Sequence, residues 1–264
     1  MGRMRHAIYQ MDIVPGNPEA NRTKVKTWIE QTVSKNDIDI IVLPEMWTTG
    51  YTLADLNEVA DEGEEPTCSF LQQLARENQV HIIAGSIANK RNGKIYNTAI
   101  VVNRNGEKVY TYDKIHLVPM LDEPTYLNGG EEKVRTFELD GIKMGLIICY
   151  DLRFPELTRS LAVSGAEVIY IVAEWPSARK DHWKNLQLAR AIENQCFIIS
   201  ANRVGIFNNV EFCGLSLVIN PWGDIRTLGS ENHEETIVDN IDLQKVREAR
   251  KNVPIFESRV PELY

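Results

Sequence analysis

Three side chains set the chemical possibilities of this chain. Glu45 directly follows the apolar run 38–44, Lys114 follows the run 108–113, and Cys149 follows the run 144–148. A carboxyl, an ammonium and a thiol at the ends of three strand-like runs are a set that can open an amide. A cysteine of ordinary pKa, near ~8.5, is only about 3% thiolate at neutral pH, so a nucleophilic role needs a base or a positive neighbour. Glu45 can be that base if burial raises its proton affinity, and Lys114 can be the cation. When sulfur attacks the carbonyl, charge gathers on oxygen. Lys114 and the backbone N–H of Tyr150 can meet it there, each donor of this kind being worth about 3–4 kcal/mol. Glu45, having taken the thiol proton, can pass it to the departing ammonia and then activate water against the thioester.

Taken singly, each residue has a plainer reading. Free cysteine is among the most buried residue types, and Cys68, Cys196 and Cys213 are assigned to the core on that ground. A Pro-Glu pair after a strand more often starts a helix, and a lone lysine is more often solvated. Only the combination argues for chemistry. The histidine that usually partners a cysteine nucleophile is not evident, and His116, in DKIHL, is expected to be a hydrogen-bonded structural residue. HExxH, GxSxG, GxGxxG and GxxxxGK[ST] are absent, which removes the simplest zinc-protease, serine-hydrolase, dinucleotide and P-loop readings.

The elements that must hold the three residues are legible as ten β-branched apolar runs: HAIYQMDI, DIDIIVLP, VHIIAGSIA, IYNTAIVVN, KVYTYD, IKMGLIICY, AEVIYIVAE, CFIISANRV, LSLVINP and TIVDNID. Runs of this length read as strands, several buried on both faces. Ligand sites of open α/β sheets lie outside the strands' carboxyl ends, where all three residues fall. Helices are expected from Asn17-Pro18-Glu19 to about Ser34, with Val25, Trp28, Ile29 and Val33 on one side, and over 66–78, 155–164 and 179–194. The last should place Trp183, Leu186, Ala189 or Arg190, and Glu193 along one stripe. Asn105-Gly106 and Asp140-Gly141 read as hairpin turns. Antiparallel pairs are thus mixed among alternating helices and strands, and a mixed α/β sandwich fits better than a doubly wound parallel sheet or a barrel.

Composition sets the context. The 264 residues carry 29 basic and 37 acidic side chains, a net charge of −8, and this argues against a nucleic-acid partner, which calls for a clustered basic surface. No apolar run reaches the length of a signal peptide or a membrane span, and four cysteines without a CxxC pair suggest reduced thiols in the cytoplasm. No linker or repeat divides the chain, so one domain over 1–264 is expected.

The blocks VLPEMWTTGY, YDKIHL and GLIICYDLRFPEL, in that order, resemble the carbon–nitrogen hydrolase (nitrilase) superfamily, and the likeness runs on through ANRVG and INPWGDI. It implies a four-layer α-β-β-α sandwich, a Glu45–Lys114–Cys149 triad and hydrolysis of a non-peptide C–N bond with no metal or organic cofactor. It also implies a homodimer, and a second glutamate, Glu123 in LDEPTYLNGG, that positions substrate and lysine. EMWTTGY together with the segment 175–195 is most similar to the omega-amidase branch, whose substrates are the terminal amides of 2-oxoglutaramate and 2-oxosuccinamate. A carboxylate-bearing substrate calls for a cation. Arg153 is the candidate, ahead of Arg179, although Arg153 can equally be an ion pair with Asp151, Glu156 or another carboxylate. Trp175 and Tyr51 are expected to wall the pocket. One position departs from the branch: Glu174 stands where Asn is common, and an acid there repels an anionic substrate unless it points away or is paired.

Other readings share these residues. An N-carbamoyl compound or the amide of deaminated glutathione would keep the triad, and an acyltransferase would hand the thioester to another nucleophile. A catalytically silent thiol-bearing binding protein would have no need of Glu45 and Lys114.

Overall fold

The computed structural model describes residues 2–263. Its chain opens with strands β1 (Arg3–Gln10), β2 (Ile40–Val42), β3 (Asp61–Glu62), β4 (His81–Arg91), β5 (Lys94–Val102) and β6 (Lys108–Asp113). A second group follows: β7 (Phe137–Leu139), β8 (Ile142–Ile148), β9 (Val168–Ala173), β10 (Phe197–Asn202), β11 (Val204–Phe207), β12 (Val210–Cys213), β13 (Leu217–Ile219) and β14 (Ile225–Leu228), before the late strand β15 (Glu235–Asp242). The helices are α1 (Pro18–Lys35), α2 (Leu56–Val59), α3 (Thr67–Asn78), α4 (Glu123–Tyr126), α5 (Pro155–Val163), α6 (Lys180–Asn194) and α7 (Gln244–Asn252).

Two mixed sheets result. The first runs β15-β1-β2-β4-β5-β6, with β3 attached to β4, and the second runs β14-β13-β10-β9-β8-β7. Each has a core of three parallel strands, β1, β2 and β4 in one and β8, β9 and β10 in the other, flanked by antiparallel partners. Period-2 alternation builds the layers. On the first sheet, Ile8, Ile40, Val42, Ile83 and Val101 join the core shared with the second sheet. Ala7, Ile41, Ile82 and Ile100 point the other way, onto Val25 and Ile29 of α1 and Leu71 and Leu74 of α3. On the far side, α5 packs on β8 and α6 on β10. Gly145 makes the first contact possible, since a Cβ there would lie 2.7 Å from a Leu161 methyl. The order is therefore helix, sheet, sheet, helix, the four-layer sandwich expected.

All ten apolar runs form strands, and the four expected helices appear within a residue or so of their expected ends. Asn17 caps α1, its side chain accepting from the Ala20 N–H at 3.1 Å. The α6 stripe is a correction. Its buried face is Trp183, Gln187, Arg190, Ala191 and Asn194, while Ala189 is exposed and Leu186 and Glu193 are only partly covered. Arg190 turns inward because its guanidinium donates to the Leu152 carbonyl at 2.9 Å, a tertiary bond that apolar periodicity does not register. Strands β3, β7, β11, β12 and β14, of two to four residues each, are not carried by a longer apolar run as the three-residue β2 and β13 are, and leave little pattern to read. Among the described residues no helix is long and apolar enough to cross a membrane.

Candidate active site

Glu45 leaves the end of β2 on a turn clamped to β4. The Leu43 N–H donates to the Ile83 carbonyl at 2.9 Å, the Ser86 N–H to Pro44 at 3.2 Å and the Trp47 N–H to Ser86 at 3.1 Å. This close approach requires Gly85, where φ is +59° and a Cβ would lie 1.8 Å from the Pro44 carbonyl oxygen. Lys114 leaves β6 with its N–H bonded to the Asn97 carbonyl at 2.9 Å. Glu123 opens α4, and Cys149 leaves β8 with a φ of +45°. That conformation is uncommon for a residue with a Cβ and is strained unless its surroundings hold it.

Asp151 supplies the hold. Fully buried, it accepts from the Ile148 N–H at 3.2 Å, the Tyr112 hydroxyl at 2.8 Å and the His116 N–H at 3.1 Å, and its Oδ1 lies 2.8 Å from His116 Nδ1. The His116 ring stacks on Phe154 with centroids 3.5 Å apart. His116 is thus structural, as expected, but what it holds is the nucleophile's turn.

Four residues from three segments at the first sheet's edge, Glu45 and Tyr51 in the loop after β2, Lys114 after β6 and Glu123 in α4, meet in one buried cluster. Lys114 Nζ lies 2.9 Å from Glu45 Oε1 and 2.7 Å from Glu123 Oε1, and all three side chains are 0% exposed. The Tyr51 hydroxyl stands between the two carboxylates, 2.9 Å from Glu45 Oε1 and in hydrogen-bond contact with Glu123 Oε1, its single proton serving one of them at a time, and accepts from Lys114 Nζ at 3.2 Å. Asn97 donates to Glu45 Oε1 at 2.8 Å, the Glu174 N–H to Glu45 Oε2 at 2.8 Å, and the Val118 N–H to Glu123 Oε2 at 2.7 Å. Both oxygens of Glu45 and of Glu123 are therefore held by donors.

The electrostatics follow from burial. Desolvation alone would lower the Lys114 ammonium, but the Glu45 and Glu123 carboxylates outweigh it and hold the pKa above the ordinary lysine value. Burial, then the charge of Glu45, pushes the Cys149 thiol well above the cysteine range, against the pull of Lys114. The resting sulfur keeps its proton, so attack on an electrophile requires the proton to leave in the same step. Glu45 is the acceptor that also raises the thiol by hydrogen bonding.

The remaining expected residues divide. Cys149, Tyr150, Arg153, Trp175 and Arg179 line one cavity together with Glu174. Arg153 forms no ion pair with Asp151 or Glu156. Its guanidinium lies 4.8 Å from the Trp175 ring centroid and 5.7 Å from that of Tyr150, because Asp151 is occupied by His116 and Tyr112. Tyr51 is a correction: it stands in the charged cluster and not on this cavity's wall, lining a neighbouring depression beside Leu53 and Tyr126 instead. Glu174 is paired, Arg203 Nη1 donating to its Oε2 at 3.0 Å. Asn97, Asp151 and Arg203 were not singled out by sequence reasoning. Asn97 carried a signal, as a polar residue inside the apolar run IYNTAIVVN, whereas Asp151 stood within a quoted block only as a candidate partner of Arg153, and Arg203 without an assigned role. Cys68, Cys196 and Cys213 are buried and unpaired as expected. Among the described residues no group of three His, Cys, Asp or Glu side chains is placed to hold a metal ion.

Known proteins share this arrangement of chain. The carbon–nitrogen hydrolase family pattern matches residues 5–251. A Staphylococcus aureus protein named "Hydrolase in agr operon" is 45% identical over 262 residues, covering 99% of this chain and all of that one. The 2-oxoglutaramate amidase of Bacillus subtilis is 45% identical over 256 residues, 97% of each chain. The crystal structure of a carbon–nitrogen hydrolase from Helicobacter pylori superposes with a TM-score of 0.92 at 24% identity, covering 100% of this chain and 97% of that one, which speaks to the fold alone. Two sheets that bring a buried Glu–Lys–Glu cluster up to a cysteine turn, in a chain matched from end to end, make this protein a member of the carbon–nitrogen hydrolase family.

Proposed function

We propose that the protein is a cysteine-dependent amidase that hydrolyses the terminal amide of a small carboxylate-bearing substrate, of the 2-oxoglutaramate and 2-oxosuccinamate class, with release of ammonia. The observation that carries this reading is the wholly buried Glu45–Lys114–Glu123 cluster next to the positive-φ turn at Cys149. In this reading Cys149 Sγ attacks the amide carbon while Glu45 takes the thiol proton. Lys114 and the Tyr150 N–H meet the developing oxyanion, and Glu123 keeps Lys114 aimed. Glu45 returns its proton to the leaving nitrogen, ammonia departs, and Glu45 draws a proton from the water that opens the thioester.

The substrate class draws support from the Bacillus subtilis relative and from the cavity itself. Arg153, free of carboxylate partners and resting on Trp175, is positioned to clamp a carboxylate, with Tyr150 beside it. A cytoplasmic enzyme working as a homodimer completes the reading; four buried unpaired thiols suit a reducing compartment. Mass spectrometry of the protein incubated with succinamate or 2-oxoglutaramate should find an acyl mass on the peptide that holds Cys149. Cys149→Ala should abolish both adduct and ammonia, and an undiminished rate in that variant would end the proposal.

A further inference from the structure

Glu174 poses an electrostatic problem that the hydrolytic scheme leaves open. It follows β9, lines the cavity of Cys149 and Arg153, and is 0% exposed. Three buried carboxyls, those of Glu45, Glu123 and Glu174, face two buried cations, Lys114 and Arg203, and every one of these side chains is at most 1% exposed. If all are ionised, one negative charge is left uncompensated in the interior, which costs several kcal/mol for a buried ion. The hydrogen bonds identify the group that can relieve it. Both oxygens of Glu45 and of Glu123 accept from donors, whereas Glu174 Oε1 is buried without a partner. Arg203 cannot turn to cover that oxygen. Its Nε donates to the Val204 carbonyl at 2.9 Å and its Nη2 to the Ile13 carbonyl at 3.3 Å, and Phe212 lies 4.5 Å below its plane.

We propose that Glu174 carries the proton that leaves this buried cluster without net charge, and that the cavity admits an amide with an anionic tail only in this state. The inference rests on the reading of Cys149 and its cavity given above. It also answers the repulsion raised by an acid at this position, since Arg203 pairs one oxygen and a proton neutralises the carboxyl. Burial, and after it the charge of Glu45, raises the Glu174 carboxyl to about 8, against the opposing pull of Arg203 and Lys114. The groups that face it from the packed elements are Arg203 after β10, Glu45 after β2, Lys114 after β6, and Tyr51 and Cys149 within the cluster. Asp12 shares Arg203 from its outer side, at 3.4 Å, and is half-exposed. Of these, Cys149 and Tyr51 are both pushed well above their ordinary values and Lys114 is held above its own.

Two amides of matched length test the inference, the anionic succinamate and the neutral butyramide. Between pH 7 and pH 9.5 the protonated fraction of a carboxyl with its midpoint near 8 falls from ~90% to ~3%, so the KM for succinamate should rise ~30-fold while that for butyramide stays within ~3-fold. In Glu174→Gln both KM values should be flat with pH, whatever the absolute rate. A succinamate KM that does not change in the wild-type protein, or an equal rise for both amides, overturns the proposal. Infrared spectroscopy reads the proton without turnover. A carboxylic-acid C=O band present at pH 7, lost by pH 9.5 and missing in Glu174→Gln supports it, and wild-type protein with no such band refutes it. Should neither amide be hydrolysed, the amidase reading fails and the band still decides the proton. Should Glu174→Gln not fold, the two wild-type measurements remain decisive.

Discussion

Replacing Glu123 by Gln separates positioning from mere packing, because the two side chains match in shape and differ in charge and in one acceptor. Glu123 Oε1 accepts from Lys114 at 2.7 Å and shares the Tyr51 hydroxyl with Glu45, while Oε2 accepts from the Val118 N–H at 2.7 Å. A glutamine has one oxygen and one NH₂. If the oxygen stays with Lys114 and Tyr51, the NH₂ meets the Val118 N–H, donor against donor, and the flipped amide sets the same conflict against Lys114. Either way a buried donor loses its acceptor, a cost of about 1–3 kcal/mol. Lys114 also loses one of its two carboxylates inside a fully buried site, where cutting an ion pair costs about 3–5 kcal/mol; the lower end applies because Glu45 remains. Together these place the loss of stability at about 4–6 kcal/mol, which at ~2–4 °C per kcal/mol for a chain of this size lowers Tm by ~8–24 °C. The rate should suffer separately. An oxyanion donor that is no longer aimed forfeits ~3–4 kcal/mol of transition-state stabilisation, so kcat should fall ~10²–10³-fold. KM should change little, since Glu123 does not line the cavity of Cys149. Ammonia-release kinetics on succinamate and thermal unfolding of the same preparation measure both quantities. A variant with kcat within threefold of wild type, or one whose defect lies in KM alone, would refute the role given to Glu123.

Asp151→Asn leaves one acceptor oxygen where two now serve His116, Tyr112 and the Ile148 N–H, so the turn at Cys149 should relax. The expected outcome is a loss of ~2–4 kcal/mol in denaturant unfolding and a larger fall in kcat than rise in KM; wild-type kinetics would show that the turn needs no such anchor. Stability should also depend on pH in a way two buried groups fix. Glu174, raised from 4.5 to about 8, keeps in the folded state a proton that the unfolded chain has released, so its contribution is present at low pH and is lost as pH rises towards 8. His6, lowered by burial from 6.5 to about 4, acts oppositely and mostly below 6.5. From pH 6.5 to 8 Glu174 therefore removes more stability than the last of the His6 effect returns, and the protein should lose about 1 kcal/mol, a loss absent in Glu174→Gln. Urea unfolding at the two pH values checks this, and equal or greater stability at pH 8 would contradict it.

What the sequence made legible and what it hid differ in physical kind. Strands β2, β6 and β8 are buried apolar runs, so their ends, and with them Glu45, Lys114 and Cys149, could be located from composition along the chain. That all three ends point to one edge depends on direction: β6 runs parallel to β4 only because two antiparallel steps, through β5, separate them. The family resemblance supplied that pairing and Glu123 with it; local pattern did not. Harder to read were the residues whose work is to satisfy another group. Asn97 is a polar residue inside a strand run until its amide is seen on Glu45, Arg203 has no assigned role until it is found buried against Glu174, and Tyr51 reads as a pocket wall until its hydroxyl is found between two carboxylates. The partners lie from 6 to 72 residues away along the chain, most of them on a different segment. Hydrophobic periodicity records which way a side chain faces, but a buried polar group is defined by what it meets, and that is settled only when the two sheets close on each other. The same reasoning places the chemistry here. A carboxyl, an ammonium and a second carboxyl with no contact to water hold their charges only because each is counted against the others, so an uncovered oxygen such as Glu174 Oε1 marks where the count is left to a proton.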